Sequence, residues 1–379
     1  MIRDAETLDG LVESVRRFVR ERLVPCEQRV EDEDAIPDEI VDDMRRLGLF
    51  GLTIPEVHGG LGLTVEEEAL IAFELGYTSP AFRSVIGTNN GIGSQGIVAD
   101  GTEAQKAFWL PRMAAGAVIG SFALTEPEAG SDAGSLRSTA VRDGDHYVLN
   151  GTKRYITNAP AADLFTVMAR TGGAGAAGIS AFLVPRDSPG LSLGSVDRKM
   201  GQRGTRTCDV IFTDCRVPAD SVIGGVEGMG FKTAMKVLDR GRLHISAVCV
   251  GAAKRLCEEM VRFARERVQF GKPLAGHQLV QAMLADSATE TFAGRAMVLE
   301  AARRFDKGER IVAEAASAKL FCSEMVGRVA DRAVQVHGGA GYMRDTPVER
   351  FYRDVRLFRL YEGTSQIQQI IIAREMLKA

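Results

Sequence analysis

Apolar positions recur every three to four residues through Leu11–Leu23 and again through Ile40–Leu49, the period of helices that bury one face. Pro55 and His58-Gly59-Gly60 interrupt them, and residues 1–117 are expected to form a helical domain. Over 118–226 the texture changes. Short β-rich runs such as Tyr147-Val148-Leu149 and Ile179 to Val184 are separated by Gly and Pro, and Asn150-Gly151 reads as a hairpin turn. A small antiparallel β-domain is expected there, with the glycine-rich stretch Thr171 to Gly178 as an exposed loop. Helical spacing returns after Gly228, so 227–379 is expected to be a bundle of four or five helices. Val326, Val329, Ala330, Ala333 and Val334 make one apolar face in it. Ser365 followed by Gln368 has capping-box spacing before Ile367, Ile370, Ile371 and Leu377, which places the last helix start near Gln366.

The chain has 379 residues, 45% apolar and 26% charged, enough for two or three domains with sizeable cores. A net charge of −3 makes no electrostatic case for nucleic acid. The start, Met1 to Glu6, lacks the apolar core of a signal peptide and no run approaches a membrane span, so a cytoplasmic location without membrane insertion is expected. Six cysteines without C-x-x-C spacing read as buried free thiols rather than disulfides or a zinc site.

Candidate chemistry begins at Glu362, a carboxylate beside Gly363 just outside the last helix. Gly363 removes a Cβ where another molecule could approach. As a residue pattern this suits a general base, although taken alone it reads more simply as an acidic residue favouring a helix N-terminus. Phe122-Ala-Leu124-Thr125-Glu-Pro-Glu-Ala-Gly130-Ser131-Asp132 offers hydroxyls and backbone donors that could edge a flat polar ring, or form a generic turn. Arg267, Gln269, Phe270 and Gln278 put a cation, amides and an aromatic ring around a helix end, where Arg267 is suited to a pyrophosphate or to solvent. Gly224 to Thr233 lacks the Gly-Lys-Ser/Thr order of a phosphate loop.

Tyr361-Glu362-Gly363-Thr364-Ser365-Gln366-Ile367-Gln368 resembles the C-terminal motif of acyl-CoA dehydrogenases, and the helix, β, helix order matches that α+β fold. The resemblance covers nearly the whole chain. It implies FAD-dependent oxidation of a saturated acyl-CoA to the trans-2-enoyl-CoA, with Glu362 taking the α-proton as the β-hydride passes to flavin N5. It implies that Phe122, Leu124, Thr125, Gly130 and Ser131 form the flavin loop, Ser131 also meeting the thioester ligand. Tyr155-Ile156-Thr157 is similar to the family's Trp-Ile-Thr behind the flavin. Arg267, Gln269, Phe270, Gln278, Gln335, Gly338 and Gly339 resemble contacts to FAD across a subunit boundary of a homotetramer, a dimer of dimers. Thr364 and Gln366 match residues touching the cofactor, while His337 carries no catalytic role.

Asp239 and Arg242 resemble residues lining the acyl-CoA cleft, as Gly363 does, and Gly241 stands where a branched-chain subgroup carries its base. Arg83-Ser84 resembles the pair that meets the distal carboxylate in glutaryl-CoA dehydrogenases; pairing of Arg83 with an acidic side chain of its own chain is the other reading. The family implies an electron-transfer flavoprotein as electron acceptor. An oxidase, a dehydrogenase of dicarboxylic acyl-CoA and a non-catalytic flavin-binding protein remain alternatives.

Overall fold

The protein is described by a computed structural model over residues 4–378. Met1 to Arg3, where the leader-free start was read, and Ala379 lie outside those residues. Helix α1 (Ala5–Phe18) runs through a π-turn, Val19–Leu23, into α2 (Val24–Glu33), and α3 (Asp38–Arg46), α4 (Val65–Leu75), α5 (Pro80–Asn90), α6 (Gln95–Asp100) and α7 (Glu103–Ala114) follow. Capping boxes at Thr64/Glu67 and Thr102/Gln105 start α4 and α7, satisfying first-turn N–H groups that have no partner within the helix.

Strands β1 (Gly120–Ala123), β2 (Thr139–Asp143), β3 (His146–Thr157), β4 (Leu164–Arg170), β5 (Ile179–Pro185), β6 (Leu191–Leu193) and β7 (Thr207–Pro218) build one sheet in the order β1-β4-β2-β3-β7-β6, with β5 on β4. Most pairings are antiparallel, but β1 and β2 each pair with β4 in parallel. Asn150-Gly151 is not a turn. It sits inside β3 at a register shift, where a Cβ on Gly151 would lie 2.3 Å from Ser138 Oγ, so glycine allows a bulge to pack closely. The hairpin turn lies earlier, between Asp143 and His146, with Gly144 at φ 63°.

Helix α8 (Gly230–Glu266) then runs for 37 residues, followed by the two-stranded β8 (Val268–Gln269) and β9 (Lys272–Pro273), and by α9 (Gln278–Asp306), α10 (Val312–His337), α11 (Pro347–Val355) and α12 (Ser365–Met376). The apolar face expected on α10 is buried at Val326, Val329, Ala330 and Ala333 and half-buried at Val334. One core joins these helices to α4, and the seam is glycine-made. A Cβ on Gly76 would lie 2.3 Å from Val248 O, and one on Gly251 2.3 Å from Phe73 O, so α4 and α8 touch backbone to backbone. Among the described residues no helix is long and apolar enough to cross a membrane, and the six cysteines are free thiols, four of them buried as expected and Cys26 and Cys257 only half-buried.

Candidate active site

Glu362 lies between α11 and α12 on backbone that only tertiary contacts can hold. Its φ is 53° and that of Gly363 is 87°; the left-handed region costs a non-glycine residue on the order of 1 kcal/mol. Two side chains fix the turn through three hydrogen bonds. Lys319 Nζ donates to Gly363 O at 2.7 Å, and Gln368 Nε2 donates to Glu362 O and Gly363 O at 3.0 Å each. The expected capping box is thus corrected: Thr364, not Ser365, caps α12 by accepting from Ile367 N, because Ser365 Oγ is turned to Glu324 Oε1 at 2.6 Å and Gln368 to the turn. Lys319 is fully buried on α10, and burial pulls its ammonium down to about 8 against the opposing pull of Cys249 and Glu362. Sequence reasoning passed over Lys319. Its one signal is a cation on the face of α10 that carries Ala315, Ala316 and Cys322, all buried.

The Glu362 carboxylate points at α8. Its Oε2 is buried and has no hydrogen-bond partner among the described residues, and a Cβ on Gly241 would lie 2.5 Å from it. Gly241 therefore makes the space that the oxygen occupies. Gly241→Ala is expected to displace the carboxylate and slow any proton transfer to it by roughly 10- to 100-fold, as misplacement of a reacting group does. Because Ala is about 1 kcal/mol better than Gly inside a helix, thermal unfolding should show no loss of stability that could explain the slower rate.

The 122–132 loop leaves β1 beside the end of β3, to which Ser121 Oγ ties it by donating to Thr157 O at 2.6 Å. Glu126 is the buried post beneath the loop. It accepts from Arg137 N (2.6 Å), Ser138 N (3.0 Å) and Lys153 Nζ (2.7 Å), and the same ammonium donates to Leu124 O at 3.2 Å. Lys153 is fully buried, with its pKa pulled down to about 8 by burial against the raising effect of Glu126. Sequence analysis missed this pair, since nothing local says that the two will meet. Phe122 and Leu124 pack half-buried into the core, whereas Gly130 and Ser131 are exposed and nothing lies within 4 Å of a Cβ built on Gly130. Tyr155 sits at a second β3 irregularity with φ 58°, the residue 61% exposed and its ring faced on one side by Arg154 at 4.8 Å. Thr157, half-buried, closes the strand. An open loop edged by Thr125, Gly130 and Ser131 beside an exposed aromatic face fits a flat polar heterocycle such as the flavin of FAD.

Around the same stretch of α8, Arg242 Nη1 donates to Asp239 Oδ1 at 2.5 Å, and burial raises the Asp239 carboxyl against the pull of Arg242. Arg83 on α5 forms no ion pair with a carboxylate among the described residues. Its Nε donates to His244 Nε2 at 2.8 Å. Ser84 is buried and its hydroxyl donates to Pro80 O within its own helix, while its carbonyl accepts from Asn158 Nδ2 at 2.8 Å, joining α5 to the end of β3. Burial raises the Tyr361 phenol, opposed by Arg83, so Arg83 lies within electrostatic reach of the residue preceding Glu362.

The remaining expected contacts lie elsewhere in the chain. Arg267, Gln269, Phe270 and Gln278 are exposed beyond the C-terminal end of α8, and Phe263 stacks on His337 at 4.3 Å, bringing exposed Gln335, Gly338 and Gly339 to that same end. Arg267 follows Gly241 by 26 residues, about 39 Å of helix at 1.5 Å per residue. Thr364 is half-buried and Gln366 exposed at the start of α12.

Models of the acyl-CoA dehydrogenase N-terminal, middle and C-terminal domains match residues 5–117, 121–215 and 228–377. Acryloyl-CoA reductase (NADH) of Anaerotignum propionicum is 41% identical over 381 residues, covering 100% of this chain and 95% of that protein. The human mitochondrial short-chain specific acyl-CoA dehydrogenase is 40% identical over 375 residues, covering 99% and 91%. The crystal structure of glutaryl-CoA dehydrogenase from Mycobacterium smegmatis superposes with a TM-score of 0.93 at 31% identity, covering 100% of this chain and 96% of that one.

Proposed function

Because the chain belongs to the acyl-CoA dehydrogenase family, a family of oxidoreductases, we propose that it is an FAD-dependent dehydrogenase of saturated acyl-CoA, with Glu362 as the base that forms the trans-2-enoyl product. The observation that carries the reading is the buried, unpartnered Oε2 of Glu362, held against Gly241 on a strained turn. An oxygen that accepts no hydrogen bond has a lone pair free for a proton, and a turn pinned by Lys319 and Gln368 keeps it in place. The α-proton goes to Oε2 and the β-hydrogen leaves with its electron pair, so the Cα–Cβ double bond forms. FAD, when bound, supplies the acceptor for that hydride, which no side chain can do. Thr125, Ser131, Tyr155 and Thr157 would line its ring, and Thr364 and Gln366 would hold it beside the base. Asp239, Arg242 and Gly363 line the acyl-CoA cleft, and hydrogen bonds to the thioester carbonyl stabilise the developing enolate.

Electrons then pass to an electron-transfer flavoprotein. Anaerobic addition of butyryl- to octanoyl-CoA to the holoenzyme should bleach the flavin. Absence of bleaching by every acyl-CoA would leave a flavin-binding protein without turnover.

The 39 Å between Gly241 and Arg267 supports a second copy of the chain at each cofactor. Phe270 and Tyr342, 94% and 83% exposed at that end, are apolar surface of the kind an interface covers. The assembly proposed is a homotetramer of two dimers, in which Arg267, Gln269, Phe270, Gln278, Gln335, Gly338 and Gly339 complete the neighbour's FAD site. Arg267→Ala should weaken FAD retention by roughly tenfold or more, the scale of one charge-assisted contact to a phosphate. Gel filtration with flavin absorbance measures this, and a stable monomer that keeps its full complement of FAD would contradict the arrangement.

A second reading of the substrate has its own support: Arg83 has no carboxylate partner among the described residues, which favours an acyl group carrying a distal carboxylate.

A further inference from the structure

His244 has a setting in which both neighbours dictate its state. It lies on α8, 8% exposed, with Nδ1 2.8 Å from Glu68 Oε1 and Nε2 2.8 Å from Arg83 Nε. Glu68 is also buried and takes Arg240 Nε on its other oxygen at 2.7 Å. Burial alone would raise that carboxyl, but Arg240 and His244 outweigh it and hold the group down at about 2. An ionised carboxylate only accepts, so the imidazole proton belongs on Nδ1; a guanidinium only donates, so Nε2 must offer its lone pair. His244 therefore braces Arg83 through a nitrogen lone pair and brings no carboxylate to it.

A guanidinium can grip an acceptor pair along its Nε edge or along its Nη1/Nη2 edge. His244 occupies the first. The second has no hydrogen-bond partner among the described residues, and the group lies over Gly87, whose Cβ would be 3.1 Å from Arg83 Cζ. The imidazole and the glycine together fix the plane of the fork. Gly241, which faces Glu362 Oε2, and His244 are three residues apart on α8, a spacing that places Cβ positions about 5–6 Å apart on one helix face. His244, which braces the fork, thus lies about one helical turn from the glycine that faces the base.

We infer that His244 is a positioning residue that sets the open edge of Arg83 at the far end of the acyl site, so that the enzyme takes a short acyl-CoA ending in a carboxylate. The inference rests on the Glu362 dehydrogenase reading and on the Arg83 reading above.

Two conservative variants separate orientation from mere polarity. The Gln amide oxygen in His244→Gln reaches about as far as Nε2 and can accept from Arg83, whereas His244→Asn reaches only as far as Nδ1 and satisfies Glu68 alone. With the holoenzyme and an artificial electron acceptor, kcat/KM is measured for glutaryl-CoA and for pentanoyl-CoA. The expected glutaryl-to-pentanoyl ratio falls roughly tenfold in His244→Asn, mainly through KM for glutaryl-CoA, and by at most about threefold in His244→Gln, the range for one hydrogen bond to a charged group. In an Arg83→Met background His244→Asn should lower the ratio no further, since it acts through Arg83. Equal ratios in both His244 variants and wild type, with the ratio lost in Arg83→Met, would overturn the role of His244 alone. A wild-type protein that oxidises pentanoyl-CoA without preferring glutaryl-CoA would overturn the Arg83 reading and this inference with it. Failure of every acyl-CoA to bleach the wild-type flavin would instead remove the dehydrogenase reading beneath both.

Discussion

Glu362→Gln is expected to lower the anaerobic rate of flavin reduction by roughly 10⁴-fold, at the upper end of what one general base contributes. The amide keeps the volume of the carboxyl, and the turn is held through the backbone carbonyls of Glu362 and Gly363 and not through the carboxylate, so the loop should survive. What is lost is the proton acceptor facing Gly241. FAD content and acyl-CoA affinity, read from flavin absorbance and the spectral shift on ligand binding, should stay near those of wild type. Stopped-flow reduction at near-normal rate in this variant would sink the assignment and send the search to another carboxylate. Asp239 would then be the nearest candidate on α8, although its bond to Arg242 occupies one oxygen.

The second large effect is expected on selectivity. In Arg83→Met the glutaryl-to-pentanoyl ratio of kcat/KM should fall about 100-fold, because a site built around a desolvated charge rejects the analogue that leaves the charge unpaired, and an alkyl side chain reverses the penalty. Preference should therefore invert, not merely decline. An assay for carbon dioxide belongs with this measurement, since a product retaining its carboxylate would exclude the decarboxylating form of the reaction. Equal ratios before and after the substitution would assign Arg83 to structure, as one end of the chain through His244 and Glu68 to Arg240.

Glu362 could be found in the sequence because its signals are local: a glycine beside a carboxylate, a run of small polar residues and the start of an apolar helical period. The same locality misled at two points. Asn150-Gly151 has the composition of a hairpin turn, yet strand β3 runs through it, because pairing with β7 continues beyond it and the glycine relieves a contact with Ser138. Ser365 has the chemistry of a cap, but Glu324 on α10 takes its hydroxyl and Thr364 caps in its place. Both outcomes turn on a partner distant in the chain.

The sequence by itself determined the order of helical and β segments, the apolar face of α10, the free thiols and the motif around Glu362, all of which follow from periodicity, composition and neighbours a few residues apart. Tertiary structure alone decided that Gly241 leaves room for the Glu362 carboxylate, that Lys319 and Gln368 hold its turn, that Lys153 and Glu126 support the 122–132 loop, and that Arg83 is braced by His244 and not paired with an acid. These side chains lie from six residues to well over one hundred apart in the chain. Lys319, Gln368, Lys153, Glu126 and His244 are polar and buried, and burial is tolerable only once a partner is in hydrogen-bond reach, so their roles exist only after the chain has packed.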